Sequence, residues 1–478
     1  MTGAALQDGV ILAELADVLG SHAVLVDTAD RERYRCDQSG HAAGMPIAVL
    51  RPATTEAAAQ AVALCAQHRV AIVPQGGRTG LSGGGSAIDG CVILSLERLV
   101  GVEELDAATM TMTVRAGTPL EQVQEAARRH GLDYPVDIGA RGTATIGGTI
   151  ATNAGGIRVL RFGMTRHHVL GLEAILPDGS ILSRMGRTAK DNTGYDLKQL
   201  LIGSEGTLGV ICRAVLQLRP WRANSALALV GLRDHAAALR CLTSLRQRFD
   251  TRLIAFEGMW PDYWKLVCHD SGLAKPPFAG GHGFHVLFEV ELPDNEGPGD
   301  VEDWFAEVSE NDLVQDGVLA QSLADHGALW RLREAVGEID DALGPHINFD
   351  IGIDPSRLGR FCDQADRMLD ALPQAGRTVK VGHVGDGNVH LLVAHSGLSK
   401  DVKIVEQAIY GLVQDYRGAV TAEHGVGRLK ADWLRHSRSD TEVAVMAAVK
   451  SSLDPHGIMN PGSVLPCVHR GAGHFGSK

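Results

Sequence analysis

Two short glycine-framed runs carry the side chains of this chain that are best suited to chemistry. The run GHVGDGNVH holds His383 and His390, and the run AEHGVG holds Glu423 and His424. Two histidines and a carboxylate with one open position form a common catalytic zinc site and would also suit Mn²⁺ or Fe²⁺. Neighbouring residues of a regular strand face opposite sides, so the glycines must turn the chain to aim Glu423 and His424 at one site. We predict a divalent metal held by His383, His390 and Glu423, with His424 as the acid/base.

A third candidate lies in the run WRLRE, which contains Arg331 and Arg333. An arginine guanidinium can clamp a substrate carboxylate through two parallel hydrogen bonds. The alternative is an arginine solvated on a helix face, and the run alone does not decide between the two. In the same way, any one of the twenty histidines taken alone would suit a structural or an exposed position.

Glycine-rich stretches earlier in the chain are candidates for holding a ligand near these groups. The run PQGGRTGLSGGG, residues 74–85, has six glycines in twelve residues and follows an apolar run at 70–73 that reads as a buried strand. Glycines let backbone N–H groups turn toward an anion without an obstructing Cβ. We predict a phosphate or pyrophosphate site here, with a plain surface loop as the alternative.

Two later stretches also look like ligand-binding backbone. Residues 146–156 (IGGTIATNAGG) consist of small residues and glycines, which suits a flat, bulky ligand lying against the backbone. Residues 191–197 (DNTGYDL) and 203–211 (GSEGTLGVI) follow with a similar composition. A tightly packed turn would explain one of the glycine pairs but explains several of them less well.

Composition limits the classes of protein to which the chain could belong. A length of 478 residues favours two or three domains, and the net charge of −12 argues against binding to nucleic acid or to an anionic membrane surface. The sequence has no apolar run of membrane-spanning length, and its first thirty residues contain neither lysine nor arginine. The eight cysteines form no C-x-x-C motif, which is typical of reduced thiols. We expect a cytoplasmic protein without a transmembrane segment.

The pattern of elements changes near residue 223. Before it, Thr54 is predicted to cap one helix, and Thr118 with Glu121 to form a capping box that opens another. After it, alternating strands and helices indicate an α+β domain with a largely antiparallel sheet and helices on one face. Ser439 and Glu442 form a second capping box. The predicted units are residues 1–223, 224–425, a C-terminal helical segment at 426–466 and a disordered tail at 467–478.

Together these motifs resemble the vanillyl-alcohol oxidase/p-cresol methylhydroxylase type of FAD protein. Within that type they are similar to the D-2-hydroxyacid dehydrogenase branch, which includes D-lactate and D-2-hydroxyglutarate dehydrogenases and the FAD subunit of glycolate oxidase. The resemblance covers roughly residues 45–466 and rests on residues 74–85, 146–156, 203–211, 382–390, 422–427 and 459–462. It implies an α+β fold with a two-subdomain FAD-binding domain, an antiparallel-sheet substrate domain and a C-terminal segment that returns to the flavin.

The resemblance also implies which residues hold FAD. The loop at 76–80 would bind the pyrophosphate, residues 146–156 would lie along the isoalloxazine and ribityl, residues 205–211 would line the adenine side, and Asn460 would touch the flavin. The implied residues are Pro74, Gly76, Gly77, Arg78, Thr79, Gly80, Ile146, Gly147, Gly148, Thr152, Asn153, Gly155, Gly156, Gly163, Glu205, Gly206, Gly209, Ile211 and Asn460. The loop has no histidine where some relatives attach FAD covalently, so non-covalent FAD is expected.

The implied reaction is metal-assisted oxidation of a D-2-hydroxyacid to the 2-keto acid, with hydride transfer to flavin N5. His383, His390 and Glu423 resemble the metal ligands of the family, and the metal would be Zn²⁺, Mn²⁺ or Fe²⁺. His424 resembles the acid/base and Arg333 the carboxylate anchor. The electron acceptor would be an electron-transfer flavoprotein, a quinone or a cytochrome, and a homodimer is expected from base rates.

Three positions depart from relatives that act on D-2-hydroxyglutarate. Those relatives carry Thr, Lys and Asn around the distal carboxylate, where this chain has Gly337, Asn348 and Leu392. A second substrate carboxylate would be costly to desolvate without its cation. We therefore expect a monocarboxylic substrate such as D-lactate, with D-2-hydroxyglutarate or D-malate as the alternative.

Four other classes of protein compete with this interpretation. A P-loop nucleotidase is disfavoured because the 74–85 loop lacks the Gly-Lys-Ser/Thr ending, and a nicotinamide enzyme because no strand is followed by G-x-G-x-x-G. A metal hydrolase would leave the first 220 residues without a role. A non-catalytic flavin-binding protein stays open as an alternative.

Overall fold

The computed structural model describes residues 3–41, 43–188, 190–278 and 281–466, with side chains from residue 8 onward. The tail predicted at 467–478 lies outside the described residues. No helix in the described ranges combines the length and the apolar composition needed to cross a bilayer.

The first domain opens with a small, mostly parallel sheet. Its elements are α1 (Gly3–Leu19), β1 (Val24–Leu25), α2 (Thr28–Arg33), β2 (Ala48–Leu50), α3 (Thr55–His68), β3 (Ile72–Gln75) and β4 (Val92–Ser95). The strand order is β1-β2-β4-β3, with β2, β4 and β3 parallel and β1 antiparallel to β2. Helix α3 begins as predicted, because the Thr54 side chain accepts a hydrogen bond of 3.1 Å from the Ala57 N–H. The glycine-rich loop follows directly from β3.

A second, antiparallel sheet completes the first domain. Its elements are β5 (Val102–Asp106), β6 (Thr111–Arg115), α4 (Leu120–Arg128), β7 (Leu132–Asp133), α5 (Ile146–Ala151), α6 (Val159–Phe162), β8 (Val169–Ile175), β9 (Ile181–Arg184), α7 (Lys198–Leu201), β10 (Val210–Gln217) and β11 (Arg219–Pro220). The order is β5-β6-β10-β8-β9, and β7 pairs separately with β11. One continuous apolar core joins both sheets of this domain.

The predicted capping box at Thr118 and Glu121 is wrong. Helix α4 begins at Leu120 with Pro119 as its N-cap, and the Thr118 hydroxyl instead donates to the Arg115 carbonyl at 2.7 Å. The first helical N–H groups, of Leu120 and Glu121, donate to carbonyls of residues 144 and 141. Contacts with the following loop therefore satisfy the orphan N–H groups that a side-chain cap would otherwise satisfy.

The second domain is built on one seven-stranded sheet. Its elements are β12 (Ser225–Leu232), α8 (His235–Phe249), β13 (Leu253–Met259), α9 (Pro261–Lys265), β14 (Phe284–Glu291), α10 (Gly299–Glu310), β15 (Asp316–Leu319), α11 (Leu323–Glu334), α12 (Asp340–Leu343), β16 (His346–Gly352), α13 (Pro355–Asp370), β17 (Ala375–Gly382), β18 (Asn388–His395) and α14 (Ser399–Asp415). The order is β15-β12-β14-β13-β17-β18-β16, antiparallel throughout as predicted.

Helices cover both faces of this sheet, which corrects the prediction of one covered face. Strand β13 is buried along all seven residues, so both of its faces need an apolar partner. Residues of α8, α10, α13 and α14 pack in the core on one face, and residues of α9 and α11 pack in the core on the other.

The C-terminal segment crosses back to the first domain. Helix α15 (Asp440–Leu453) opens with the predicted capping box, in which Ser439 and Glu442 each bond the other's backbone N–H. The chain then runs beside β3, where the Ile72 N–H donates to the Ile458 carbonyl and the Asn460 N–H to the Ile72 carbonyl, both at 2.8 Å. The segment that follows the second domain is therefore hydrogen-bonded to a strand of the first domain.

Candidate active site

One cavity of about 1040 Å³ runs from the glycine-rich loop of the first domain to the β16–β18 edge of the second. A volume at the upper end of ordinary ligand pockets suits a dinucleotide together with a small substrate. The predicted residues that line it are Pro74, Gly76, Gly77, Arg78, Thr79, Gly80, Gly147, Gly148, Thr152, Gly155, Gly156, Glu205, Gly206, Gly209, Ile211, Arg333, Gly337, Asn348, His383, His390, Glu423 and His424. The structure therefore gathers the stretches at 74–85, 146–156 and 203–211 and the His/Glu runs around one space, whereas the predicted stretch at 191–197 is exposed and lies outside it.

Five predicted residues lie outside the cavity wall: Ile146, Asn153, Gly163, Leu392 and Asn460. Ile146 and Leu392 belong to the apolar cores. The Asn460 amide donates to the Gly84 carbonyl at 3.0 Å and to the Glu205 carbonyl at 2.7 Å, so it holds two cavity-lining segments together. Direct contact of these five residues with a ligand stays a prediction.

The glycine-rich loop offers unused hydrogen-bond donors to the cavity. Within the described ranges, the backbone N–H groups of residues 76–80 have no protein acceptor. A Cβ on Gly76 would lie 2.3 Å from the Thr145 hydroxyl, and one on Gly77 would lie 1.9 Å from the Thr143 carbonyl. Glycine is therefore required at positions 76 and 77, where the loop lies against the 143–148 segment. The free backbone N–H groups of the loop fit a pyrophosphate.

A buried carboxylate, Asp350 on β16, shapes the turn that carries Glu423 and His424. One oxygen, Oδ2, accepts hydrogen bonds from the N–H groups of Ala422, Glu423 and His424 at 3.0, 2.8 and 2.8 Å, and from the Thr421 hydroxyl at 2.9 Å. Wrapping the backbone around one oxygen allows two adjacent side chains to line the same cavity. Asp350 was not among the residues predicted from the sequence, although an acid within the run INFDIG, which alternates apolar and polar residues, was a signal.

Asp350 stays ionised because its surroundings favour the charged carboxylate. Burial would raise the pKa of its carboxyl, but His424, Lys430 and His390 hold that pKa well below its usual range. The Lys430 ammonium is buried 4.0 Å from Oδ2, and the Nδ1 atoms of His390 and His424 lie 4.0 and 3.9 Å from the carboxylate. The site therefore has a fixed negative charge beneath its histidines.

The predicted metal ligands converge. One possible ligand atom from each of His383, His390 and Glu423 lies within 4.8 Å of the others, and His383 Nε2 is 3.6 Å from Glu423 Oε2. Burial lowers the pKa of His390 to about 3. Burial would raise the pKa of Glu423, but the adjacent His383 lowers it to about 2. His390 and Glu423 are therefore in their ligating forms, a neutral imidazole and an ionised carboxylate. Burial would lower the pKa of His383, but Glu257 and Glu423 hold that pKa well above its usual range, so a divalent cation would take the place of the proton on its Nε2.

A second buried carboxylate, Glu257 on β13, joins the metal set to the arginine. Its Oε1 lies 2.7 Å from His383 Nδ1, and its Oε2 accepts from Arg333 Nε at 2.7 Å. An Nδ1–H bonded to Glu257 leaves His383 Nε2 free to face Glu423. Within the described ranges the Arg333 Nη groups donate to no protein acceptor, and they remain available to a substrate carboxylate. Glu257 was not among the predicted residues either, although it stands in the apolar run LIAFEGM.

Comparisons with known proteins agree with this architecture. Residues 46–183 match the FAD binding domain family, and residues 222–464 match the family of FAD linked oxidases, C-terminal domain. The D-2-hydroxyglutarate dehydrogenase of Xanthomonas citri pv. viticola is 37% identical over 446 residues, covering 92% of this chain and 93% of the relative. That of Stutzerimonas stutzeri is 34% identical, covering 96% and 100%. A structure of p-cresol methylhydroxylase with substrate bound superposes with a TM-score of 0.75 over 97% of both chains, at 14% identity.

The chain therefore belongs to the FAD-linked oxidases, with the p-cresol methylhydroxylase type of α+β fold. Among them its place is with the FAD-dependent D-2-hydroxyacid dehydrogenases. The family resemblance, the fold class and the FAD cofactor drawn from the sequence are confirmed.

Proposed function

We propose that this chain binds a D-2-hydroxyacid between Arg333 and His424 and oxidises it to the 2-keto acid. One observation carries the proposal: Glu257 bonds both Arg333 and His383, so the carboxylate anchor and the predicted metal site are held at one end of the flavin-sized cavity. A 2-hydroxyacid presents its carboxylate and its hydroxyl on adjacent carbons, and this pairing of a guanidinium with a His/Glu set suits both groups.

Each protein group then has a role. The free Nη groups of Arg333 bind and orient the α-carboxylate through charge-assisted hydrogen bonds. His424 accepts the hydroxyl proton as general base, with its ring close to the Asp350 carboxylate. His383, His390 and Glu423 would hold a divalent cation. When bound, FAD supplies the hydride acceptor and the cation a Lewis acid for the hydroxyl.

The remaining features of the proposal concern the cofactor and the partners. Non-covalent FAD is supported by the absence of histidine from residues 74–85, and acid precipitation that releases all flavin into the supernatant would bear it out. The names of the Xanthomonas citri pv. viticola and Stutzerimonas stutzeri relatives mention no organelle, which supports a cytoplasmic location. The Arabidopsis thaliana relative, in contrast, is named as mitochondrial. An electron-transfer flavoprotein, a quinone or a cytochrome as acceptor, and a homodimer, complete the proposal.

D-2-hydroxyglutarate is the first substrate candidate. The names of the relatives support it better than D-lactate, which the sequence analysis favoured. A specific observation keeps a monocarboxylic acid as the second candidate. Gly337 and Asn348 line the cavity, and Leu392 pairs with Asn348 across β16 and β18. In the described part of the chain no lysine lines the cavity, so no ammonium is available there to a distal carboxylate.

Steady-state kinetics with a dye acceptor test the proposal. We expect kcat/KM for D-2-hydroxyglutarate or D-lactate to exceed that for the matching L-enantiomer by at least about 100-fold, the size of ~2.7 kcal/mol of discrimination. Arg333→Lys should raise KM for either acid. A protein that turns over no D-2-hydroxyacid while fully loaded with FAD would refute the proposal.

Elemental analysis tests the metal separately. We expect about one divalent ion per chain in the purified protein, and its loss in His383→Ala. Full activity in His383→Ala, or a fully active wild type with no stoichiometric divalent ion, would remove the metal from the proposal.

A further inference from the structure

The turn that carries Glu423 and His424 is held largely by the other domain. We call residues 421–428 the catalytic turn. The Ser82 hydroxyl lies 3.0 Å from the His424 carbonyl and 2.8 Å from the Gly425 carbonyl, and can donate to either. Arg428 donates in return to the carbonyls of residues 83, 84 and 86. The catalytic turn and the glycine-rich loop are therefore bonded side by side, across more than 330 residues of sequence.

Glu205 of the first domain makes a further contact with the catalytic turn. Its Oε1 accepts a hydrogen bond from the Val426 N–H at 2.7 Å, and its Oε2 accepts one from the Gly427 N–H at 2.8 Å. Both carboxylate oxygens therefore bind backbone N–H groups of the catalytic turn. Its own backbone has φ +52°, a left-handed conformation that is unfavourable for glutamate. The Asn460 amide bonds the Glu205 carbonyl and helps to hold that conformation.

A second contact makes the position of Glu423 depend on the same interface. Glu423 Oε1 accepts a hydrogen bond of 2.9 Å from the Gly156 N–H, in the stretch predicted to lie along the flavin. Its other oxygen, Oε2, is the one that faces His383 at 3.6 Å. A displacement of the catalytic turn by an ångström would break this arrangement and would move the adjacent His424 with it.

We propose that Glu205 is a positioning residue, which sets the distance of Glu423 and His424 from the flavin site by clamping the catalytic turn onto the first domain. The inference deepens the proposed function and rests on it. A misplacement of about 1 Å at a reacting centre costs on the order of 100-fold in rate, so the clamp should act on the chemical step rather than on substrate affinity.

The test compares Glu205→Ala and Glu205→Gln with Glu173→Gln as a matched control. Glu173 is a buried glutamate of the same domain whose hydrogen-bond partners are Thr55, Ser183 and Arg213, none of them in the catalytic turn. With excess FAD present and rates counted per bound flavin, we expect anaerobic flavin reduction at saturating D-2-hydroxyacid to fall about 100-fold in Glu205→Ala. Glu205→Gln, which keeps one acceptor, should lose less, and Glu173→Gln should match wild type. A KM change without a rate change would contradict the inference.

Hydrogen exchange of peptides covering residues 421–430 separates this inference from the proposed function. We expect the Val426 and Gly427 amides to exchange at least about tenfold faster in Glu205→Ala than in wild type, at equal FAD loading. Unchanged exchange, or faster exchange with an unchanged reduction rate, overturns the positioning role. If wild-type flavin is reduced by no D-2-hydroxyacid, the proposed function fails, and the exchange measurement still decides whether Glu205 holds the turn. If Glu205→Ala does not fold, Glu205→Gln and Ser82→Ala carry the same two measurements.

Discussion

At the scale of single residues, buried carboxylates position the groups proposed to react. Glu257 fixes His383 and Arg333, and Asp350 fixes the backbone beneath Glu423 and His424. A carboxylate with two charged partners in a low-dielectric site resists rotation, because any other orientation leaves a buried charge unpaired. The reactive groups therefore keep one geometry before the substrate arrives.

Glu257→Gln tests this pre-positioning. The variant keeps the volume of the side chain but removes the charge that pairs with Arg333 and His383, and breaking such a buried pair costs about 3–5 kcal/mol. We expect a lower unfolding temperature, a higher KM for the hydroxyacid and less metal per chain. Glu289→Gln is the control, because this glutamate of the neighbouring strand β14 has Ser225 and His326 as partners, and neither of them lines the cavity. Wild-type KM and metal content in Glu257→Gln would contradict the role assigned to Glu257.

Substrate choice is also decided by single residues. The double variant Gly337→Thr/Asn348→Lys supplies a hydroxyl and an ammonium at two cavity-lining positions that now have neither. We expect the ratio of kcat/KM for D-2-hydroxyglutarate to that for D-lactate to rise at least about tenfold, which corresponds to ~1.4 kcal/mol. Kinetics with both acids on wild type and variant give that ratio. An unchanged ratio would show that neither position faces the distal end of the substrate.

The histidines and the glutamate that the structure gathers at the cavity could be predicted from the sequence, whereas the residues that hold them could not. Glu423, His424 and the histidine pair stand in glycine-framed runs that are visible locally. Glu257 and Asp350 each stand alone in an apolar strand, 126 residues from His383 and 73 residues from Glu423. The antiparallel pairing of strands in the second-domain sheet brings them next to the site, and no local pattern in the sequence encodes contacts between residues so far apart.

At the scale of elements, the turns around the cavity depend on close backbone contact. Gly427 has φ +51°, and a Cβ there would lie 1.9 Å from the Ser82 carbonyl. Helices α3 and α15 begin where their predicted caps place them, at Thr54 and Ser439. The predicted box at Thr118 failed because the bonding partners of α4 come from residues 141 and 144 rather than from its own first turn.

Gly427→Ala tests the contact between the catalytic turn and the glycine-rich loop. The added methyl cannot fit without moving the turn, so we expect a loss of at least ~1 kcal/mol in stability and a strong loss of flavin reduction. Gly411→Ala is a control for which we expect the opposite change in stability, because Gly411 lies within helix α14 and no atom lies within 4 Å of its added Cβ. That variant should gain about 0.5–1 kcal/mol from helix propensity, by thermal unfolding. Equal effects of the two substitutions would contradict this account of the turn.

At the scale of the whole molecule, the two domains line one cavity and are also joined by contacts away from its wall. Arg161 of α6 pairs with Glu291 of β14 through two bonds of 2.6 and 2.9 Å, and the C-terminal segment returns to β3. The change of element pattern near residue 223 predicted this two-domain plan, and the family resemblance agreed with it. The same patterns predicted helices on one face of the second sheet, whereas the structure has helices on both.

The overall stability should depend on pH through Glu406 on α14. Burial raises the pKa of this carboxyl to about 7, from 4.5 in a free side chain. The folded state therefore holds the proton more tightly than the unfolded state, and stability falls as the pH rises from about 4.5 to about 7. We expect Glu406→Gln to raise the unfolding temperature at pH 8 and to leave it nearly unchanged at pH 4.5. Glu307→Gln, at an exposed site, controls for net charge; the same gain in both variants would exclude Glu406 as the cause.

The central claim is that this flavoprotein takes a hydride from the C2 carbon of a D-2-hydroxyacid held between Arg333 and His424. Anaerobic titration of the flavin absorbance near 450 nm tests it most directly, using the D- and L-enantiomers of 2-hydroxyglutarate and lactate on wild type and on His424→Ala. The account predicts that at least one D-acid bleaches the wild-type flavin, that its L-enantiomer does not, and that His424→Ala bleaches far more slowly. Equal bleaching by both enantiomers, or a wild-type rate in His424→Ala, would contradict it.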